Sequence, residues 1–174
     1  MSPLPLRLSA PAVRGFGRGS RELGIPTANL PPECLPLAAW EALEAGIYWG
    51  WAGLLPEVLP EGGGCARVFP AAISVGFNPT YGNKEKTLEP HFICAPSDPH
   101  RGASRCGESQ MPDFYGRTVR LAVCGRIRDE LKFEGLDKLV EWIKNDIKVT
   151  EEKCGSEGEG CWGEREWCRS GEEV

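Results

Sequence analysis

Short runs of alternating apolar and polar residues predict a mainly β fold. In residues 119–124, Val119, Leu121 and Val123 occupy every second position, which places them on one face of an extended strand. Aromatic, β-branched and other apolar residues predict four further strands, at residues 1–13, 46–53, 68–77 and 88–94. Segments rich in Gly, Pro and charge predict loops at residues 14–30, 54–66 and 95–112.

The periodicity changes towards the C-terminus. Five apolar residues at helical spacing predict an amphipathic helix over residues 135–149, with its apolar face on the core. They are Leu136, Leu139, Val140, Ile143 and Ile147. A shorter helical turn is predicted at residues 38–45. Five or six strands and this helix indicate a small antiparallel barrel capped by the helix, because closing a sheet removes its exposed edges.

The net charge of −5 is concentrated at the C-terminus. From residue 150 onward there are eight acidic and three basic side chains, so residues 1–149 are electrically balanced. Because a nucleic-acid binder normally has a basic excess on its folded part, we expect no nucleic-acid partner. We predict one domain over residues 1–149, expected to be a monomer, and a flexible acidic tail rich in Gly and Glu over residues 150–174.

The eight cysteines are accompanied by no CxxC pair and by only two histidines. The first residues lack the long apolar stretch of a signal peptide, and no segment is apolar enough to span a membrane. We therefore expect a cytoplasmic protein with no membrane partner and with mostly free thiols. Cys154, Cys161 and Cys168 lie seven residues apart, which leaves a metal or disulfide role open beside the simpler expectation of unpaired thiols.

A glycine-rich motif is the first candidate for chemistry. Gly15, Gly17 and Gly19 stand at alternate positions and are followed by Ser20 and Arg21. The backbone N–H groups of such a loop converge on one concavity that binds phosphate, and an arginine adds positive charge. An ordinary loop is the more common explanation of such glycines, and the GK[ST] ending of a Walker A loop is missing.

Thr27 and Asn29 follow two residues apart in the run GIPTAN. In an extended chain their side chains share one face. A hydroxyl and an amide oxygen are hard ligands of the kind that Mg²⁺ accepts, together with water and phosphate oxygens. Capping of a turn after Pro26 is the alternative explanation.

Glu89 interrupts an otherwise apolar strand. A carboxylate at such a position must face water, a partner or a substrate. It has the chemistry to accept a proton from an alcohol that attacks a phosphoryl group, although a lone glutamate in a strand is more often a solvated surface residue. His91 shares its face of the strand, and we expect a structural role for it.

Six segments in a fixed order resemble the riboflavin kinases. The run RGFGRGSRELGIPTANLP at residues 14–31 matches the N-terminal signature of that family nearly residue for residue. The other segments are GIYWGWA at 46–52, ISVGFNPTYGN at 73–83, the strand with Glu89 and His91, DFYG at 113–116 and IRDELKF at 127–133. The resemblance covers residues 8–149.

The resemblance implies a six-stranded antiparallel Greek-key barrel with a C-terminal α-helix. It implies an enzyme that transfers the γ-phosphate of ATP to the 5′-hydroxyl of riboflavin and so produces FMN. The glycine loop would then fold over the ATP phosphates. Thr27 and Asn29 would hold a divalent cation, Mg²⁺ or another such as Zn²⁺ or Mn²⁺, and Glu89 would be the catalytic base.

The resemblance also implies where the two substrates lie. Tyr115 and the backbone near Phe92 are expected close to the adenine. Arg128 and Phe133 are expected to touch the flavin, for which Phe133 offers a flat apolar face. Bacterial relatives often place an adenylyltransferase domain before this module. Only about a dozen residues precede the glycine loop here, so we expect the product to be FMN.

Three positions depart from the family pattern. Pro90 stands where a β-branched residue is common, and it removes a backbone N–H beside Glu89. Cys94 replaces a frequent histidine near the nucleotide. Leu131 replaces a lysine or a polar residue beside the flavin.

Three other functions remain as alternatives. A flavin- or nucleotide-binding module without turnover would not need Glu89, Thr27 and Asn29 together. A kinase for another small molecule is disfavoured by Arg128 and Phe133. A nucleic-acid-binding barrel is disfavoured by the electrically balanced residues 1–149.

Overall fold

A computed structural model describes residues 4–14, 25–56, 66–77, 82, 85–95, 114–156 and 160–171. The strands are β1 (Leu6–Pro11), β2 (Gly46–Leu54), β3 (Arg67–Gly76), β4 (Thr87–Phe92) and β5 (Thr118–Arg128). The helices are α1 (Leu37–Ala42), α2 (Leu136–Gly155) and α3 (Trp162–Ser170), and a 3₁₀ turn lies at Pro32–Cys34. Among these described residues, no helix is long and apolar enough to cross a lipid membrane.

The five strands form one antiparallel sheet in the order β1-β5-β2-β3-β4. β5, the strand with the clearest alternation, pairs with both β1 and β2. Its residues Val119, Leu121 and Val123 are fully buried in the main core, as their spacing predicts. Two register shifts between β2 and β5 increase the local twist and help the sheet to curl. The mainly β, antiparallel prediction is confirmed.

The short segment at residues 26–30 contacts both edges of the curled sheet. The N–H of Ala28 donates to the carbonyl oxygen of Pro90 on β4 at 3.1 Å. On the other side, the N–H of Val13, just beyond β1, donates to the carbonyl oxygen of Asn29 at 2.8 Å. These contacts are isolated bridges rather than a sixth strand, so the predicted six-stranded closed barrel stays a prediction.

Helices α2 and α3 cover part of the outer face of the sheet. Trp49, Trp51 and Ala122 point away from the main core and form a second buried cluster with Cys154 of α2 and Cys168 of α3. The two helices therefore cover one part of the outer face of the sheet, and the rest of that face lies beside them.

The described part of residues 150–174 differs from the flexible tail that we predicted. α2 continues to Gly155 and α3 follows, with Cys168 fully buried. Arg7 on β1 donates from Nε and Nη2 to the carboxylate of Glu164 on α3, at 2.6 and 3.1 Å. The difference arises because these partners lie on distant strands, whereas the local composition is rich in Gly and Glu. The domain boundary after residue 149 stays a prediction.

Candidate active site

Residues 26–30 alternate between the core and the outer face. Ala28 and Leu30 are buried in the main core, whereas Thr27 and Asn29 are half-buried. The segment is extended, so the side chains of Thr27 and Asn29 share the outer face, as their spacing predicts. This face continues across β4, where Glu89 and His91 alternate with buried residues.

Thr27 lies opposite His91 in a backbone bridge. Its Oγ1 is 3.1 Å from Nδ1 of His91 and 3.2 Å from the carbonyl oxygen of Ile25. Burial lowers the pKa of His91 to about 4, so the imidazole is neutral near pH 7. Because the His91 ring is neutral, it places no positive charge next to Oγ1 of Thr27. His91 therefore fixes the hydroxyl of Thr27, which fits the structural role that we expected for it.

Glu89 lies at the centre of this outer face. The bridges of Thr27 with His91 and of Leu30 with Leu88 set the register, which places Asn29 directly opposite Glu89. On its other side Glu89 pairs with Ser74 of β3. Oγ1 of Thr87 donates to Oε1 of Glu89 at 2.8 Å and so orients the carboxylate.

The same register continues to the far side of the sheet. Ser74 pairs with Ile47 of β2, and Ile47 pairs with Arg128 of β5. Because neighbouring strands are about 4.8 Å apart, Glu89 and Arg128 are separated by about 14 Å along the sheet. A single row of side chains therefore joins the predicted cation ligand Asn29, the predicted base and the predicted flavin contact.

Arg128 makes a bidentate ion pair with Asp146 on the inner face of α2. Its Nε and Nη2 donate to Oδ1 and Oδ2 of Asp146 at 2.8 and 2.6 Å, and its Nη1 donates to the carbonyl oxygen of Asp129 at 2.9 Å. Burial raises the pKa of the Asp146 carboxyl, and the positive charge of Arg128 opposes that shift. The pair ties the end of β5 to α2.

Phe133 and Trp142 lie close to each other and to the guanidinium of this ion pair. Their ring centroids are 6.2 Å apart, and the guanidinium carbon of Arg128 lies 5.7 Å from the Phe133 ring and 5.1 Å from the Trp142 ring. The structure thus brings the two predicted flavin residues, Arg128 and Phe133, into one cluster that also contains Trp142.

Of the two predicted adenine contacts, Phe92 lies in the core and Tyr115 lies on the surface. The Phe92 ring is buried between Phe69 and Phe114, at centroid distances of 5.6 and 5.2 Å, so only its backbone is available to a nucleotide. Tyr115 is exposed, and the guanidinium carbon of Arg14 lies 4.8 Å from the centre of its ring.

The predicted phosphate loop lies outside the described residues. This applies to Gly15, Gly17, Gly19, Ser20 and Arg21. Its two ends are described, however, because Val13 pairs with Asn29. The described residues that flank the loop therefore lie beside the predicted cation ligands.

The three departures from the family pattern occupy different environments. Pro90 directs its carbonyl to Ala28, so its missing N–H faces that segment and the register of β4 with β3 is kept. Cys94 is buried in the main core, and Leu131 is 38% exposed.

The cysteines of the C-terminal helices are buried thiols. Sγ of Cys154 contacts the carbonyl oxygen of Gly50 at 3.4 Å, and Sγ of Cys168 contacts that of Trp51 at 3.3 Å. Burial raises the pKa of both thiols to about 12. Cys154, Cys161 and Cys168 are free, and within the described ranges no group of three or more His, Cys, Asp or Glu residues is arranged to hold a metal ion.

Sequence reasoning missed Ser74, Asp146 and Trp142. Asp146 had a detectable signal, since it falls three residues after Ile143 on the face of α2 that turns towards the sheet. A charged residue on that face indicates a buried partner. Ser74 and Trp142 carry no such signal, because their importance comes from strand register and from a neighbour on another element.

Comparison with known proteins gives a consistent result. A family model described as riboflavin kinase matches residues 2–154. A riboflavin kinase of Aspergillus fumigatus is 38% identical over 175 residues, covering 92% of this chain and 81% of that protein. The structure of riboflavin kinase from Trypanosoma brucei aligns with a TM-score of 0.58 and 26% identity, covering 94% of this chain and 82% of that one. A macrolide-efflux protein from Streptococcus pneumoniae aligns with a TM-score of 0.57 and 27% identity, covering 84% of this chain and 38% of that one.

The fold and these matches define the chain as a kinase. It belongs to the riboflavin kinase family, since the family model spans most of its length and the Aspergillus relative is aligned over most of both chains.

Proposed function

We propose that the chain transfers the γ-phosphoryl group of ATP to the 5′-hydroxyl of riboflavin, giving FMN and ADP. The observation that supports this most directly is the row that runs from Asn29 through Glu89 and Ser74 to Arg128. Oxygen ligands stand at one end, a carboxylate near them, and an aromatic cluster at the other end. Phosphate, alcohol and flavin ring follow each other in that order in the reacting complex.

Glu89 acts as the general base in this proposal. Its carboxylate accepts the proton of the 5′-hydroxyl while the hydroxyl oxygen attacks the γ-phosphorus. The bond from that phosphorus to the ADP oxygen breaks, and ADP takes the electron pair. The hydrogen bond from Thr87 supports this role because it orients the carboxylate before the alcohol arrives.

Thr27 and Asn29 would hold the divalent cation. Their hydroxyl and amide oxygens are hard donors on one face, and Glu89 lies opposite Asn29, so the residues fit Mg²⁺ and, as second candidates, Zn²⁺ or Mn²⁺. Such a cation, when bound, neutralises negative charge on the phosphates. His91 contributes by fixing the Thr27 hydroxyl.

The glycine loop and Tyr115 would bind ATP. The pairing of Val13 with Asn29 supports this, because it anchors both ends of the loop beside the cation ligands. We further propose that residues 26–30 act as the sixth strand and close the sheet into a barrel.

The experiment that tests the base is the substitution Glu89→Gln. We expect turnover to fall by about a hundredfold or more, within the range that general-base catalysis supplies, while the dissociation constant for riboflavin changes little. Glu85→Gln is the matched control, since Glu85 is an exposed carboxylate two residues before β4. Wild-type turnover in the Glu89 variant would remove the base from the proposal.

A binding module without turnover is the second candidate. If the chain is such a module, riboflavin will bind to the wild-type chain and no FMN will form with any divalent cation. The monomeric state and the cytoplasmic location stay predictions from the sequence.

A further inference from the structure

We propose that Trp142 contacts the isoalloxazine ring of riboflavin, and that Arg128 and Asp146 are positioning residues which hold Trp142 and Phe133 for that ring. The inference rests on the proposed function and assigns the residues that recognise the ring. It also changes the role of Arg128 from a ligand contact to a support.

The hydrogen bonds of Arg128 point to a supporting role. Three of its N–H donors are directed to protein oxygens, two of them on the carboxylate of Asp146. The side chains of Arg128 and Asp146 are only 14% and 5% exposed, so the pair is nearly closed to solvent. A guanidinium in this state has its charge neutralised, and its flat face is what it offers to neighbouring rings.

Trp142 and Phe133 are the two rings beside this guanidinium. The guanidinium carbon lies within 6 Å of both ring centres, at the range of a cation–π contact. Trp142 nevertheless stays 37% exposed, and Leu131 and Leu136, close to Phe133 in the chain, are 38% and 48% exposed. The buried ion pair therefore holds the two rings on the protein side, and the cluster exposes an apolar, aromatic surface to solvent.

If the flavin ring binds at the cluster, the 5′-hydroxyl of riboflavin can reach Glu89. α2 packs on β2 and β3, and its residue Asp146 meets Arg128 at the end of the row. A ring against Trp142 would send its ribityl chain past Ile47 and Ser74 towards Glu89. Ser74 is the polar residue on this path and lies beside the carboxylate.

A tryptophan that touches a flavin ring quenches the fluorescence of the flavin, which gives a readout that does not depend on turnover. Riboflavin is titrated with the wild-type chain and with Trp142→Phe and Trp142→Ala, in the absence of ATP and metal. We expect the alanine variant to bind riboflavin about tenfold more weakly, in the range of one good aromatic contact, and phenylalanine to recover most of the affinity with less quenching.

Trp162→Phe is the matched control, because Trp162 is 46% exposed on α3 and lies against Trp51, away from the row. Lumiflavin, which has the ring and no ribityl chain, should lose affinity for Trp142→Ala by the same factor as riboflavin. Asp146→Asn should weaken the binding of riboflavin and of lumiflavin by a similar factor and reduce the quenching, because Arg128 then holds Trp142 less firmly.

Wild-type affinity and quenching in Trp142→Ala would overturn the inference while FMN formation by the wild-type chain still supports the proposed function. An alanine variant that loses riboflavin but keeps lumiflavin would also overturn it. If Asp146→Asn does not fold, the two variants Trp142→Phe and Trp142→Ala test the inference without it.

Discussion

Asp146 on α2 accepts two parallel hydrogen bonds from Arg128 at the end of β5, one from Nε at 2.8 Å and one from Nη2 at 2.6 Å. The pair joins the helix to the strand beside the aromatic cluster. Because both side chains are nearly closed to solvent, neither can lose its partner without leaving a buried charge.

Asp146→Ala should therefore destabilise the fold strongly. We expect the free energy of unfolding to fall by about 3–5 kcal/mol, the usual cost of breaking a buried ion pair from one side. Chemical denaturation followed by tryptophan fluorescence measures it. In the control Glu141→Ala, which breaks an exposed pair with Lys138, the loss should stay below about 1 kcal/mol. Equal losses in the two variants would show that the Arg128 pair is not buried in solution.

His91 should make the fold less stable in acid. Burial lowers its pKa to about 4, whereas an unfolded histidine titrates near 6.5. Between these values the unfolded chain binds the proton more readily, so the free energy of unfolding should fall as the pH drops from about 6.5 to 4, by up to about 3 kcal/mol.

Urea unfolding across this pH range tests the assignment. His91→Gln should flatten the dependence, and His100→Gln, at the other histidine of the chain, should retain it. A slope that survives in His91→Gln would contradict the lowered pKa.

Gly53→Ala tests the docking of α3. A β-carbon at Gly53 would overlap the carbonyl oxygen of Cys168, so the helix would have to move off the sheet. We expect a loss of about 1–3 kcal/mol in unfolding free energy, as for other overpacked sites. Gly155→Ala is the control, since nothing lies within 4 Å of a β-carbon there. If Gly53→Ala is as stable as that control, α3 does not rest on β2.

Thr27→Ala should weaken cation binding. Removing the hydroxyl takes away one oxygen donor and its contact with His91, and we expect the affinity for Mn²⁺, measured by electron paramagnetic resonance with ATP present, to fall by about tenfold or more. Thr27→Ser keeps the hydroxyl and should stay close to the wild type. An unchanged Mn²⁺ affinity in Thr27→Ala would exclude Thr27 as a ligand.

The strands were predictable because each carries its own signal. Val119, Leu121 and Val123 alternate locally, and the structure buries all three. Thr27 and Asn29 were predicted on one face from their spacing alone, and their half-buried state beside buried Ala28 agrees with it.

What could not be predicted depends on contacts between distant parts of the chain. α3 is held in place by Arg7 and by Trp51. The sequence around Glu164 gives no indication of either partner. Likewise, the row from Asn29 to Arg128 exists only through strand register. Periodicity gives the face of a residue but not its neighbour on the next strand.

Phosphoryl transfer from ATP to riboflavin is tested most directly by incubating the purified chain with riboflavin, ATP and Mg²⁺ and separating the flavins by chromatography. We expect FMN to form only when all three components are present, and Glu89→Gln to form it at about a hundredth of the wild-type rate or less. Riboflavin that binds and remains unphosphorylated, with Mg²⁺, Mn²⁺ and Zn²⁺ alike, would contradict the proposed phosphoryl transfer and favour a binding module without turnover.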